Sequence, residues 1–245
     1  MSQADHPLAD LYARPLGPIL PGPARPTLGS DYDSPSGRAQ WTRWLLGLVV
    51  AANMGSLLVL GLQRSMLDRG FGAFTLAEWE SSRAHVNDMA SIDLLVALGT
   101  AIVFLCWLHL CYRNLRALGV DDPPYTPGWS VGYWFVPVLN LFRPYQIVAG
   151  LWRTTAVPGA EGGDWRRRPA SGLVAAWWLT FLAGGALSRF ASVGGTATFA
   201  DVKREGAILF VSHLLYVASA ALAFRLVGAL SQRQDALAAR LADAG

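Results

Sequence analysis

Charge is scarce in this sequence. Only 15% of its 245 residues are Asp, Glu, Lys or Arg, while 53% are hydrophobic; a soluble domain carries about 25% charged residues. That deficit argues for a membrane protein before any local pattern is read. Lysine is almost missing, with Lys203 alone among 20 basic side chains. The net charge of +3 is modest, and no basic run is interleaved with an RNA-binding or helix-turn-helix pattern. Nucleic acid is therefore not an expected partner. Cysteine is limited to Cys106 and Cys111. Five positions apart on one helix, they diverge by about 140° and cannot bridge. A disulfide framework is excluded, and nothing implies an oxidising compartment.

Catalytic patterns are lacking as well. There is no His-Glu-x2-His, no Gly-x-Ser-x-Gly and no Gly-x4-Gly-Lys-Ser/Thr, which removes the common metalloprotease, hydrolase and nucleotide-binding signatures. Cys106 and His109 share a helix face, but zinc needs three or four ligands. Ser212 and His213 are adjacent, so on a helix they point about 100° apart. Asp93 and Glu205 sit at the ends of apolar runs, so paired carboxylates within a span are also missing. No catalytic residue, metal or cofactor is expected.

What is present is a set of long uncharged runs. Trp44 to Leu62 has 19 residues without a formal charge, flanked by Arg43 and Arg64; about 20 are needed to cross a bilayer core. Gly47, Ala51 and Gly55 form a small-residue stripe suited to close helix packing. Asn53 lies mid-span and reads as a hydrogen bond between helices, with a ligand contact as the alternative. Leu94 to Tyr112 is a second run, with Ser91 or Asp93 as its expected cap. Ala170 to Ser188 and Gly206 to Phe224 are the third and fourth. The expected fold is an all-α integral membrane protein with four transmembrane helices in two hairpins. The membrane domain spans residues 41–230. A polar, helix-forming tail covers 231–245.

Residues 1–40 hold seven of the 14 prolines and read as a disordered tail. Prolines also interrupt the continuous apolar stretch that a secretory signal requires.

Residues 123–152 are uncharged over most of their length, yet they do not form a simple span. Pro123, Pro124, Pro127, Pro137 and Pro144 break them, and Arg143 interrupts them. Each interior proline removes a helix hydrogen bond, and such backbone survives at membrane depth only when shielded. Two half-helices are expected, re-entrant or interfacial, with Trp129, Tyr133, Trp134, Tyr145 and Trp152 at headgroup level.

Lys and Arg set sidedness. The N-terminal tail, the 113–169 connection and the C-terminal end carry fourteen, against six in the two opposite loops. Both termini are therefore expected in the cytoplasm, with the broken segment on that side of the cell membrane. A weak repeat matches CYRNLRALG with AFRLVGALS, and TLAEW with TFADV.

The pattern W-x4-YRNL-x-ALG, then PGW-x2-GYWFVPVLNLFRPYQ and LWR, spans Trp107, Tyr112 to Leu115, Ala117 to Gly119, Pro127 to Trp129, Gly132 to Gln146 and Leu151 to Arg153. With the Trp177-Trp178 pair, it resembles the bacterial membrane-protein family labelled domain of unknown function 4328, over roughly residues 40–230. The resemblance implies a multi-span bacterial membrane protein and no particular activity.

The candidate site residues lie in and before the broken segment: Arg113, Asn114, Trp129, Trp134, Pro137, Asn140, Arg143, Pro144, Tyr145 and Trp152. Arg143 stands out because a charge between apolar half-helices is costly and usually partnered. It suits an anionic headgroup or a carbonyl cluster, and the plainer alternative is an arginine snorkelling to the interface. Two functions follow as expectations. The first is a noncatalytic scaffold or regulator, with a membrane-protein partner or a second copy of itself. The alternative is a lipid or small-solute binding or transport protein built on the broken segment. Membrane lipids are partners under either.

Overall fold

A helix ends where its backbone loses partners, not where its side chains acquire charge, and here the helices run well past the apolar runs. The computed structural model describes residues 28–70, 72–156, 165–193 and 198–243. These contain helices α1 (Ser36–Asp68), α2 (Leu76–Ala117), α3 (Pro127–Gly132), α4 (Arg143–Thr154), α5 (Gly172–Val193) and α6 (Phe199–Asp243), with 3-10 turns at Leu139–Leu141 and Trp165–Arg167. No strand occurs among the described residues. Helices α1, α2, α5 and α6 are long and apolar enough to cross a membrane, and they contain the four expected spans, α5 starting two residues late.

The expectation that Ser91 or Asp93 caps the second span is overturned. Thr75 is the cap: its Oγ1 accepts from Glu78 N at 3.2 Å, and Glu78 Oε2 accepts from Thr75 N at 2.6 Å. This reciprocal capping box satisfies two otherwise orphaned amides. Thr198 and Asp201 repeat the arrangement ahead of α6, so the TLAEW and TFADV match has a shared capping role. At its other end α2 closes on Gly119, φ +77. Val120 N bonds to Leu115 O at 2.9 Å and Gly119 N to Arg116 O at 3.0 Å, a Schellman closure.

α1 packs on α2 and on α6, and α6 packs on α5. α2 and α5 make no extensive contact with each other. The order around the bundle is therefore α2–α1–α6–α5, an arc left open between its two ends. Near the chain termini it is filled by Trp107, Leu108, Leu226 and Leu230, with Ile147, Val148 and Leu151 of α4. Large apolar side chains are exposed along these helices, as at Leu58, Leu95, Ile102 and Leu179, which suits contact with lipid tails.

Of the small-residue stripe, Gly55 faces α2, where a Cβ would lie 3.4 Å from Met89 Sδ. Gly47 and Ala51 are exposed, and a Cβ on Gly47 would meet nothing within 4 Å. The close approaches are elsewhere: a Cβ on Gly184 would lie 3.2 Å from the Tyr216 ring, and one on Gly150 would lie 2.9 Å from Pro124.

Of the tail expected over 1–40, residues 1–27 lie outside the described residues. Residues 28–40 are ordered, contrary to that expectation. Leu28 and Tyr32 pack on Leu118, Leu237 and Ala238, and α1 begins at Ser36, directly after Pro35. Tyr32 and Ser34 donate to Asp235 Oδ1 at 2.7 and 2.8 Å, and Ser36 donates to Asp235 Oδ2. Burial, with Asp235 beside it, holds the Tyr32 phenol well above its ordinary pKa. The tail expected from 231 is helical, as expected, and continues α6, but it is not solvated throughout: Gln234, Leu237 and Ala238 are buried.

Candidate functional site

The broken segment is assembled from its prolines. Pro127 opens α3, a position whose amide has no helical partner to lose, and Thr126 Oγ1 accepts from Trp129 N at 3.4 Å. α3 ends at Gly132, and Pro137, which has no N–H to donate, follows in the turn beyond it. The chain reverses at Val138, φ +67 and ψ −48, in a γ-turn closed by Leu139 N to Pro137 O at 2.8 Å. Positive φ at a β-branched residue is strained. Pro144 then lies in the first turn of α4, where it is tolerated. With 12 residues, α4 is about 18 Å long, short of a bilayer core. Trp178 Nε1 donates to Leu141 O at 2.8 Å, and Tyr112 Oη donates to Ile147 O at 2.6 Å. These bonds pin the segment to α5 and α2.

The candidate residues from the sequence divide into separate groups. Arg143 Nη1 donates to Gln146 Oε1 at 3.0 Å and Tyr125 Oη at 3.3 Å, and the guanidinium sits 5.2 Å from the Tyr133 ring centre. Trp129 packs on Tyr133, with centroids 4.9 Å apart. Pro137 and Asn140 are exposed, Pro144 is buried, and Tyr145 packs against the core. Arg113 pairs with Asp33 at 3.1 Å. Asn114 is fully buried and bonds Asp33 O at 2.7 Å. Trp152 carries Arg233 over its ring at 3.6 Å. His109 Nδ1 donates to Pro127 O at 3.0 Å, while Cys106 is exposed. Trp134 is set apart: it packs on Phe104, Trp177 and Trp178 and faces a cavity.

That cavity, about 560 Å³, lies inside the open arc. Its wall is mostly apolar, and Ala97, Ala101, Ala220 and Ala223 keep it open. One end holds Phe104, Trp134 and Trp177. The other gathers Asn53, Ser56, Asp93 and His213 from three helices. Ser56 Oγ donates to Asp93 Oδ2 at 2.5 Å. His213 Nδ1 is 2.8 Å from Asn53 Oδ1 and 3.8 Å from Asp93 Oδ2. Asp93 Oδ1 and Trp134 Nε1 are buried without a hydrogen-bond partner. Apart from Asn53, read correctly as a bridge between helices, this polar cluster was missed in the sequence. Its signal was the ionisable pair itself, since a charged or titratable residue in a span marks function by default. No group of three potential metal ligands occurs among the described residues.

Four helices of spanning length around a partly polar cavity define the class: a multi-pass helical membrane protein. More narrowly, the chain belongs to the family described as Domain of unknown function (DUF4328), which matches residues 72–232. That range leaves out α1, with Asn53 and Ser56, which the resemblance read from the sequence had included. No curated protein and no solved structure matches the chain.

Proposed function

We propose that this is a protein of the bacterial cytoplasmic membrane that binds a lipid or small amphiphilic solute in the cavity between its four long helices. Both termini face the cytoplasm. The observation that carries the reading is the cavity, about 560 Å³ with a largely apolar wall and one polar end. Ligand sites typically measure 300–1,000 Å³ and have this composition. Protein interiors otherwise close such space with side chains. The gap between α2 and α5 is the access route from the bilayer, and Trp134 of the broken segment closes the end nearest the termini. The arginine excess on the terminal side supports the orientation. The scaffold or regulator expected first has exposed apolar faces for support, and lipid covers these equally well.

Native mass spectrometry of the protein released from lipid nanodiscs tests the binding. Wild type should carry a discrete adduct. Ala97→Phe, which fills the cavity from an exposed position, should lose it. Arg143→Ala should keep it, because Arg143 lies outside the cavity lining. A wild-type protein without an adduct, or equal occupancy in Ala97→Phe, would overturn the proposal.

A further inference from the structure

Resting on that binding reading, we infer that the ligand is a cationic amphiphile, with a protonated amine head at Asp93 and an apolar tail lying toward Phe104 and Trp134. Polarity is separated along the cavity. Asp93 and Phe104 are eleven positions apart on α2, about 16 Å along the axis, with Ala97 and Thr100 between them on the lining. Such a slot fits a molecule with one polar end.

The sign of the head follows from the partners of Asp93. Ser56 donates to Oδ2 at 2.5 Å, and Oδ1 has no donor. Among the described residues, the basic group that pairs with it is His213, at 3.8 Å. That imidazole is already engaged. Asn53 Nδ2 donates to Val49 O at 2.8 Å, so Asn53 Oδ1 is the acceptor and His213 Nδ1 carries the proton between them. A neutral imidazole satisfies this bond completely and brings no countercharge. No Lys or Arg pairs with Asp93 among the described residues. A carboxylate with few donors in a low-dielectric site favours a cation and repels an anionic head. Trp134 Nε1, unpartnered at the far end, is neutral and far less costly to leave so than a carboxylate.

The test is calorimetric titration of the protein in nanodiscs at neutral pH with dodecylamine, dodecanol and dodecanoate, against empty nanodiscs. Dodecylamine should bind wild type about ten-fold more tightly than dodecanol. Asp93→Asn should abolish that preference. Equal binding of amine and alcohol, or tightest binding of dodecanoate, would overturn the head-group inference while the cavity reading stood. If no probe bound wild type, the binding reading itself would fall. The wild-type series decides the matter even if Asp93→Asn does not fold.

Discussion

Asn114 and Gln234 face one another, Asn114 Nδ2 lying 3.4 Å from Gln234 Oε1, with both side chains fully buried. Gln234 Nε2 donates to Cys111 O at 2.9 Å, and Asn114 Oδ1 accepts from Asp33 N at 3.3 Å. The pair joins α2, α6 and the segment ahead of α1. Asn114→Leu removes partners from three buried or half-buried polar groups, each costing about 1–3 kcal/mol when left unsatisfied. A loss of roughly 2–4 kcal/mol is expected, read as a lowered unfolding temperature in detergent; no change would mean the network contributes nothing to stability.

Tyr32 gives this seal a pH dependence. Burial, then the Asp235 carboxylate, raises its folded pKa above the ordinary 10.0, so the folded state holds the phenol proton more tightly than the unfolded state. Its contribution is fully present below about pH 10 and falls as pH rises above that value toward the folded pKa. Between pH 9 and 11 wild type should lose more stability than Tyr32→Phe, with the two denaturation curves converging as pH rises. Parallel curves would contradict this.

Val138 holds a positive φ while 68% of its surface is exposed. Glycine there removes strain of about 1–3 kcal/mol against about 0.5–1 kcal/mol of added chain entropy, and little packing is lost. Val138→Gly should therefore raise stability by roughly 1 kcal/mol. A lower melting temperature would show that the turn is not strained.

Orientation can be read by labelling. In a chain with Cys106→Ala and Cys111→Ala, a membrane-impermeant maleimide applied to intact cells should modify Ala73→Cys, between α1 and α2. It should reach Asp121→Cys only after permeabilisation. The reverse pattern would invert the proposed threading.

The four apolar helices were legible because nineteen-residue uncharged runs match a bilayer, and the broken segment was legible because proline acts on its own backbone. The true start of α2 was also written in the sequence, as the Thr75–Glu78 capping box, although the charges at Glu80, Arg83 and Asp88 leave only a possible short helix legible there within a polar loop. The polar cluster was not legible. Asp93 stands at the edge of its apolar run, and the register of α1 against α2 places it beside Ser56. His213 reaches Asn53 across 160 positions. Which residues of different helices share a depth is set by packing, and no periodicity within one helix contains it.

Tyr32, Ser34 and Ser36 converge on Asp235, about two hundred positions later in the chain. On a ribosome, α1 through α5 are all made before that carboxylate emerges. Until then the Trp107 indole N–H has no Ser231 to meet, and the Cys111 carbonyl has no Gln234. The membrane-embedded helices can be threaded while this end of the bundle still gapes. Closure of the seal is thus a late step of biogenesis, and a chain cut short after Arg225 would leave these donors and acceptors open.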